Sequence, residues 1–360
     1  MRLFTLAAMA VSAAAFGLGS AQPARSLAQP KLSGPYLHDN LAVYFIHGQS
    51  AGGPVPLTLV EALAKGTVIL RETGSVNNLE IENTGDADVF IQAGDIVKGG
   101  QQDRVLMVSM ILPGKSGVVS IGSFCVEQGR WSRRGVEDVR QFASAAEGLP
   151  SREAKLAMKA PPKPAVAYPD ASATTSTVRR TSPIVRDETS TRQAEMWAAV
   201  AGVQNKLSER LGAPVGAAQS TSSLQLSLEN DKVKATRAAY IAGLEDKAVD
   251  GDIIGYVFAV NGRINSADQY PSNGLFKKMW SKLLAASATE AIGEAGKSTA
   301  TAVPSTGDVA AFLAQAEAGK SEEKPIGALA RQELRDNEKS LYVEARKADG
   351  AWVHRNYLAK

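Results

Sequence analysis

The chain has 360 residues, one cysteine, 44% hydrophobic residues and a formal net charge of +3 from 40 basic and 37 acidic side chains. A single thiol excludes an intrachain disulfide, and a near balance of charge spread along the chain gives no argument for a nucleic-acid partner, so no specific nucleic acid is expected. Stability must come from burial, for which the chain is long enough to build one large core or two smaller ones.

Residues 1–21, MRLFTLAAMAVSAAAFGLGSA, place Arg2 before an apolar, Ala-rich run and then small residues. This is the plan of a cleavable secretory signal with cleavage after Ala21, and it predicts a periplasmic or secreted mature chain. A retained anchor is the weaker reading, because Gly17, Gly19 and Pro23 break the end of the run. No later stretch is apolar enough to span a membrane.

From 22 to 149 the composition predicts a β-rich antiparallel lobe, sandwich or barrel-like. Strands are expected at 41–47, 67–72, 79–82, 88–92, 104–112 and 118–126, with a helix near 57–64. The stretch 150–188 is dense in Pro, Ala, Ser and Thr, lacks a periodic apolar face, and reads as a flexible insertion. The part from 189 to 360 predicts helices and two hairpins, and it shares one domain with 22–149 or forms its own. Ser190 and Gln193 fit a capping box ahead of Met196, Val200, Val203, Leu207 and Leu211. A second helix is expected over 232–247. Asn261-Gly262 marks a hairpin, and Ser272 or Asn273 caps a helix with Phe276, Met279, Trp280, Leu283 and Leu284 on its apolar face. A short helix over 306–318 and a last hairpin turning at Asp349-Gly350 complete an α+β fold. A two-residue turn there sets Glu344 opposite Arg355 and Tyr342 opposite Tyr357.

Polar residues crowd beside apolar strands in AGDIVKGGQQDRV, residues 93–105, and again in SFCVEQGRW, residues 123–131. Gly94, Gly99 and Gly100 permit positive φ and close backbone approach. Asp95, Lys98, Gly99, Gly100, Gln101, Gln102, Asp103, Arg104, Glu127, Arg130 and Trp131 form the candidate ligand site. The plainer alternative is a Gly-assisted turn whose side chains satisfy the backbone. Trp131 with Arg130 offers a stacking platform or simply covers the core edge. Asp95, Asp103 and Glu127 offer paired carboxylates for acid and base work, or oxygen ligands for a hard cation. Cys125 reads as a buried small residue, with a reactive thiol as the alternative, and Arg133-Arg134 reads as a solvated pair. No zinc-type spacing, phosphate loop, nucleophile elbow or dinucleotide fingerprint is present, and no cofactor is named by any motif.

The stretches ENTGDADVFIQAGDIVKGGQQDRV, ILPGKSG, SFCVEQGRW and GYVFAVNGRINSADQYPSNGLFKKMWSKLL resemble a bacterial family. That family is named for its association with ADP-ribosylglycohydrolases and rhodanese-phosphatase proteins. The resemblance implies a role near ADP-ribose or related nucleotide chemistry and supplies no catalytic residues to carry over. The expected function is a non-catalytic module that binds a polar small molecule, a nucleotide-like ligand or a protein partner. The alternatives are a hydrolase using the clustered carboxylates, with or without a divalent cation, and a structural envelope protein whose insertion is its contact segment.

Overall fold

The computed structural model describes residues 30–159, 188–296 and 302–360. The signal-like segment and most of the Pro-rich insertion lie outside these residues. In chain order, strands β1 (Lys31–His38), β2 (Leu41–His47) and β3 (Leu57–Thr58) precede helix α1 (Leu59–Ala64). Then come β4 (Val68–Glu72), β5 (Asn78–Asn83), β6 (Val89–Ile91), β7 (Asp95–Gly99), β8 (Arg104–Leu106), β9 (Met110–Leu112), β10 (Gly117–Cys125) and β11 (Phe142–Gly148). Helices α2 (Arg152–Lys159), α3 (Glu188–Leu211), α4 (Leu224–Leu228) and α5 (Asp231–Leu244) follow. Strands β12 (Ile253–Val260) and β13 (Arg263–Gln269) lead to α6 (Asn273–Glu294) and α7 (Thr306–Glu317). The chain ends with β14 (Lys320–Ile326), β15 (Ala330–Asp336), β16 (Ser340–Lys347) and β17 (Trp352–Ala359).

The fold is α+β with antiparallel sheets. An eight-stranded sheet runs in the order β1-β2-β12-β13-β17-β16-β15-β14, and a six-stranded sheet in the order β11-β7-β8-β10-β5-β4. A small third sheet, β3-β6-β9, contains the parallel pair β3–β6. Because β2 pairs with β12, strands from both ends of the sequence build the large sheet.

Strand β2 is buried at every position. Leu41, Val43 and Phe45 face the main core with α6, while Ala42, Tyr44 and Ile46 face a second core under α7. Covering both faces removes the hydrophobic and polar alternation that a half-exposed strand would show. Helix α6 is sandwiched in the same way. Its side chain-capped start at Ser272 and its buried Phe276, Met279, Trp280, Leu283 and Leu284 match the apolar face expected from the sequence.

Several expectations need correction. The run 104–112 is two strands and not one: β8 pairs with β7 and β10, whereas β9 pairs with β6 in another sheet. A continuous apolar run carries no mark of the point where the chain changes sheets. Residues 95–99, expected in a polar loop, form β7, with Ile96 and Val97 in two different cores. Residues 152–159 of the expected insertion are helix α2, with Ala154 and Met158 buried. Helix α3 already includes Glu188, so Ser190 and Gln193 lie within it and not at its start. Gln193 instead clasps the backbone of Cys125, accepting from its N–H and donating to its carbonyl, both at 2.9 Å.

The last hairpin has the expected pairs, Glu344 with Arg355 and Tyr342 with Tyr357. Its turn, however, runs from Ala348 to Ala351, and a bulge between Ala345 and Arg346 restores the register. The β14–β15 hairpin was not anticipated, since its charged residues hide the strand pattern.

Candidate functional site

The turn between β7 and β8 gathers most of the residues singled out in the sequence. Gly99 and Gly100 both have positive φ, +115° and +54°. A Cβ on Gly100 would lie 2.4 Å from the Phe142 ring and 2.7 Å from Glu72 Oε1, so only glycine fits there. The turn delivers Asp103 into the interior, where it is fully buried beside Glu127.

These two carboxylates are saturated by protein donors. Arg134 grips Asp103 with two bonds, Nη1 to Oδ2 at 2.9 Å and Nη2 to Oδ1 at 2.8 Å. Asp103 also accepts from Gly99 N–H at 3.0 Å and from Ser223 Oγ at 2.7 Å. Glu127 accepts from Arg130 Nε at 2.7 Å, Arg134 Nη1 at 3.1 Å and Asp103 N–H at 2.9 Å. Burial works to raise the Glu127 pKa, but these bonds and the Arg130 charge prevail and hold it below the usual carboxylate range. Arg130 spends its other donors on the carbonyls of Gly99, Gly100 and Ser132.

The remaining predicted residues have partners of their own. Lys98 pairs with Glu229 at 2.7 Å, and Gln101 N–H donates to Glu72. Gln102 Nε2 donates to the Glu127 carbonyl, and Gln102 Oε1 accepts from the Cys125 thiol. Arg104 is fully buried and reaches Glu72 at 3.4 Å. Trp131 is 52% exposed and lies under the Arg104 guanidinium at 5.9 Å. The cation on that ring is therefore Arg104, because Arg130 turns inward to Glu127. Arg134, read from the sequence as a solvated charge, is buried at the centre of the cluster. Its neighbour Arg133 is the solvated one. The cluster ties the segment 127–137 to the β7–β8 turn and to the start of α4.

Asp95 does not belong to this cluster. It lies at the head of β7 and forms an ion pair of 2.6 Å with Lys282 of α6. Both line a cavity at the junction of the six-stranded sheet, the eight-stranded sheet, α2 and α6. Its free space is about 400 Å³ counted with its open mouth. Inside it, the centre of a water-sized sphere has about 20 Å³ to move in, room for one ordered water. Lys155 and Lys159, one helical turn apart on α2, enter from one side, and Tyr256, Asp268 and Asn356 line the sheet side.

Lys159 Nζ donates to Asn356 Oδ1 at 2.7 Å and forms no ion pair with a carboxylate among the described residues. Burial lowers its pKa to about 8, with the Lys155 charge adding to the effect and Asp268 opposing it. Asp268 accepts from Asn356 Nδ2 at 2.7 Å and contacts His354 Nε2 at 3.0 Å. His354 Nδ1 contacts Ser109 Oγ at 2.9 Å, and that oxygen accepts from Ala93 N–H at 2.9 Å. Ser109 Oγ thus lies between Ala93 N–H and Nδ1, and Nε2 faces Asp268. Burial pushes the His354 pKa down, although Asp268 works against that shift. Burial thus favours the neutral imidazole, and Asp268 is held below its usual range, despite its own burial, by His354 and the nearby lysines.

The junction cavity thus combines a buried amine, two further lysines, an ionised carboxylate and amide donors. The sequence concealed it, because its residues come from positions 92 to 356 and lie singly in otherwise apolar segments. Of its polar residues only Asp95 was singled out from the sequence; the Lys155 and Lys159 pair at helical spacing was a further signal.

Another group of ligand-type atoms is His47 with Asp250 and Asp252, all within 4.8 Å of one another. Both ring nitrogens of His47 are engaged, by Asp252 and by Ser33 at 2.7 Å each. Lys31 also sits 3.2 Å from Asp252, which disfavours a cation there.

A protein-family model described as the ARG and Rhodanese-Phosphatase-superfamily-associated Protein domain matches residues 29–358. The chain belongs to this family. The match covers the described strands and helices from β1 to β17, all but Ala359, and includes α2 and the residues of the junction cavity. No curated protein and no solved structure matches the chain. Among the described residues no helix is long and apolar enough to cross a membrane.

Proposed function

We propose that the protein is an exported binding module that holds a small, acid-bearing polar ligand in the junction cavity. The observation that carries this reading is Lys159, a buried ammonium hydrogen-bonded to a neutral amide and flanked by Lys155 and Lys282 in a partly open cavity. A buried cation without a direct ion pair costs free energy that Asp268, across the cavity, offsets only in part, and the negative charge of a ligand would offset the rest. The carboxylate or phosphate of a small molecule is the matching chemistry, entering from the open mouth where the free space lies, and a nucleotide-like ligand meets it through its phosphate alone, with the rest of the molecule outside the cavity. The export part of the proposal rests on residues 1–21.

The Asp103–Glu127 cluster is proposed as a structural clamp. Its acceptors are filled by arginine and backbone donors, which favours binding elsewhere over hydrolysis by these carboxylates. The test is a thermal-shift titration of the purified chain with acetate, lactate, inorganic phosphate and nucleoside diphosphates. A ligand at about 100 times its dissociation constant should add about 2.7 kcal/mol of stability. That shift is expected to vanish in Lys155→Met and Lys159→Met and to survive in Lys98→Met. A shift retained in both cavity variants, or absent for all four ligands, overturns the proposal.

A further inference from the structure

We propose that Lys159 captures a small aldehyde or 2-oxo acid in the junction cavity as a Schiff base. This rests on the reading of the cavity as a site for small acids and adds the reactive group of the ligand. Three features of the geometry lead to it. Nζ of Lys159 is held in the cavity lining by one neutral acceptor, so it loses a proton without breaking an ion pair among the described residues. Lys155, from its own helix, brings a second cation to the same lining, where it can receive the acid group of the ligand. Asp268, on the opposite sheet, supplies a negative charge for the iminium that forms. The other titratable groups facing the amine across this space are Asp95 with Lys282 and Tyr256, while His354 stands behind Asp268.

The nucleophile is the neutral amine. With burial lowering its pKa to about 8, Lys159 holds far more unprotonated amine at pH 7 than an ordinary lysine. A desolvated lysine beside another cation is a recognised way to obtain such an amine. In the reaction, the Nζ lone pair attacks the carbonyl carbon, and a proton from Nζ passes to the oxygen to give a carbinolamine. The hydroxyl then takes a proton from solvent at the cavity mouth and leaves as water, while the nitrogen keeps its last proton as the iminium. One amine, one carbonyl and one proton give one iminium and one water. No oxidant or reductant is consumed, and the step is reversible, so the module binds without turnover.

The experiment uses the purified chain with glyoxylate and sodium cyanoborohydride, which reduces an iminium to a stable secondary amine, followed by intact mass and peptide mapping. A single adduct at Lys159 is expected, with a formation rate that levels off above about pH 8. Lys155→Met should move that pH dependence upward by removing the neighbouring cation. Lys159→Arg should abolish the adduct while its thermal transition shows a folded chain. Adducts spread over exposed lysines with none at Lys159 overturn the inference. Lactate, an acid without a carbonyl, separates the two claims. A lactate-induced thermal shift without an adduct at Lys159 sinks the Schiff base and leaves the binding reading standing, whereas neither shift nor adduct sinks both.

Discussion

Arg134 and Asp103 form a bidentate ion pair in which both side chains are almost wholly withdrawn from water, 5% and 0% exposed. Two parallel bonds of 2.8 and 2.9 Å fix the orientation of both groups. The pair joins a loop to a strand turn that lies 31 residues earlier in the chain.

Removing one partner of such a pair leaves the other charge buried. Arg134→Met is expected to cost about 3–5 kcal/mol in urea denaturation, because Asp103 and Glu127 then share too few donors. Arg133→Ala, next to it but exposed, should stay within about 0.5 kcal/mol of the parent. Equal effects of the two would show that the cluster carries little stability.

Gln193 ties α3 to the end of β10 through both polar groups of Cys125. Gln193→Leu keeps the volume but orphans a buried N–H and a buried carbonyl, for an expected loss of about 2–4 kcal/mol. Hydrogen exchange at Cys125 N–H provides a local reading of the same change. An unaltered exchange rate there would refute the clasp.

His354 gives a pH dependence whose sign follows from its lowered pKa. The unfolded chain takes up the histidine proton near pH 6.5, while the folded chain resists it until the pH is lower. The unfolded state then binds more protons, so stability should decline as the pH falls below about 6.5. Denaturation midpoints at pH 7.5 and 5.5 test this against His354→Gln, which should lose less between the two values. Parallel declines in both proteins would assign the effect to other groups.

Cys125 is fully buried, and burial pushes its thiol up to about 12, with only the Arg104 charge pulling the other way. The thiolate is the reactive form. Iodoacetamide should therefore leave the native chain unmodified at pH 8 and label it once it is unfolded in urea. Rapid alkylation of the native protein would contradict this burial.

The longer helices and the pairs of the last hairpin were legible because each carries its own local pattern, whereas the short α2 and α4 were not. The apolar spacing of Phe276, Met279, Trp280, Leu283 and Leu284 announces α6, and the pairing of Glu344 with Arg355 follows from counting back from one turn. Strand β7 was not legible, since five residues with a lysine and a terminal glycine look like a turn until two neighbours pair with them. The candidate site was half legible. Asp103, Glu127, Arg130 and the glycines do converge, yet Arg134, which neutralises them, was read as solvated because a lone basic pair carries no sign of burial.

By itself, the sequence determined the α+β class, the family kinship and most elements, because these rest on periodicities of two and 3.6 residues and on turn chemistry within short windows. Tertiary structure alone decided that β2 joins β12 in one sheet, that Asp95 parts from Asp103, and that Lys155, Lys159, Asp268 and His354 meet around one cavity. Those relationships link residues as distant in the chain as Leu41 and Val260. They depend on how the sheets and helices pack, and no local pattern records which isolated polar side chains that packing will bring face to face.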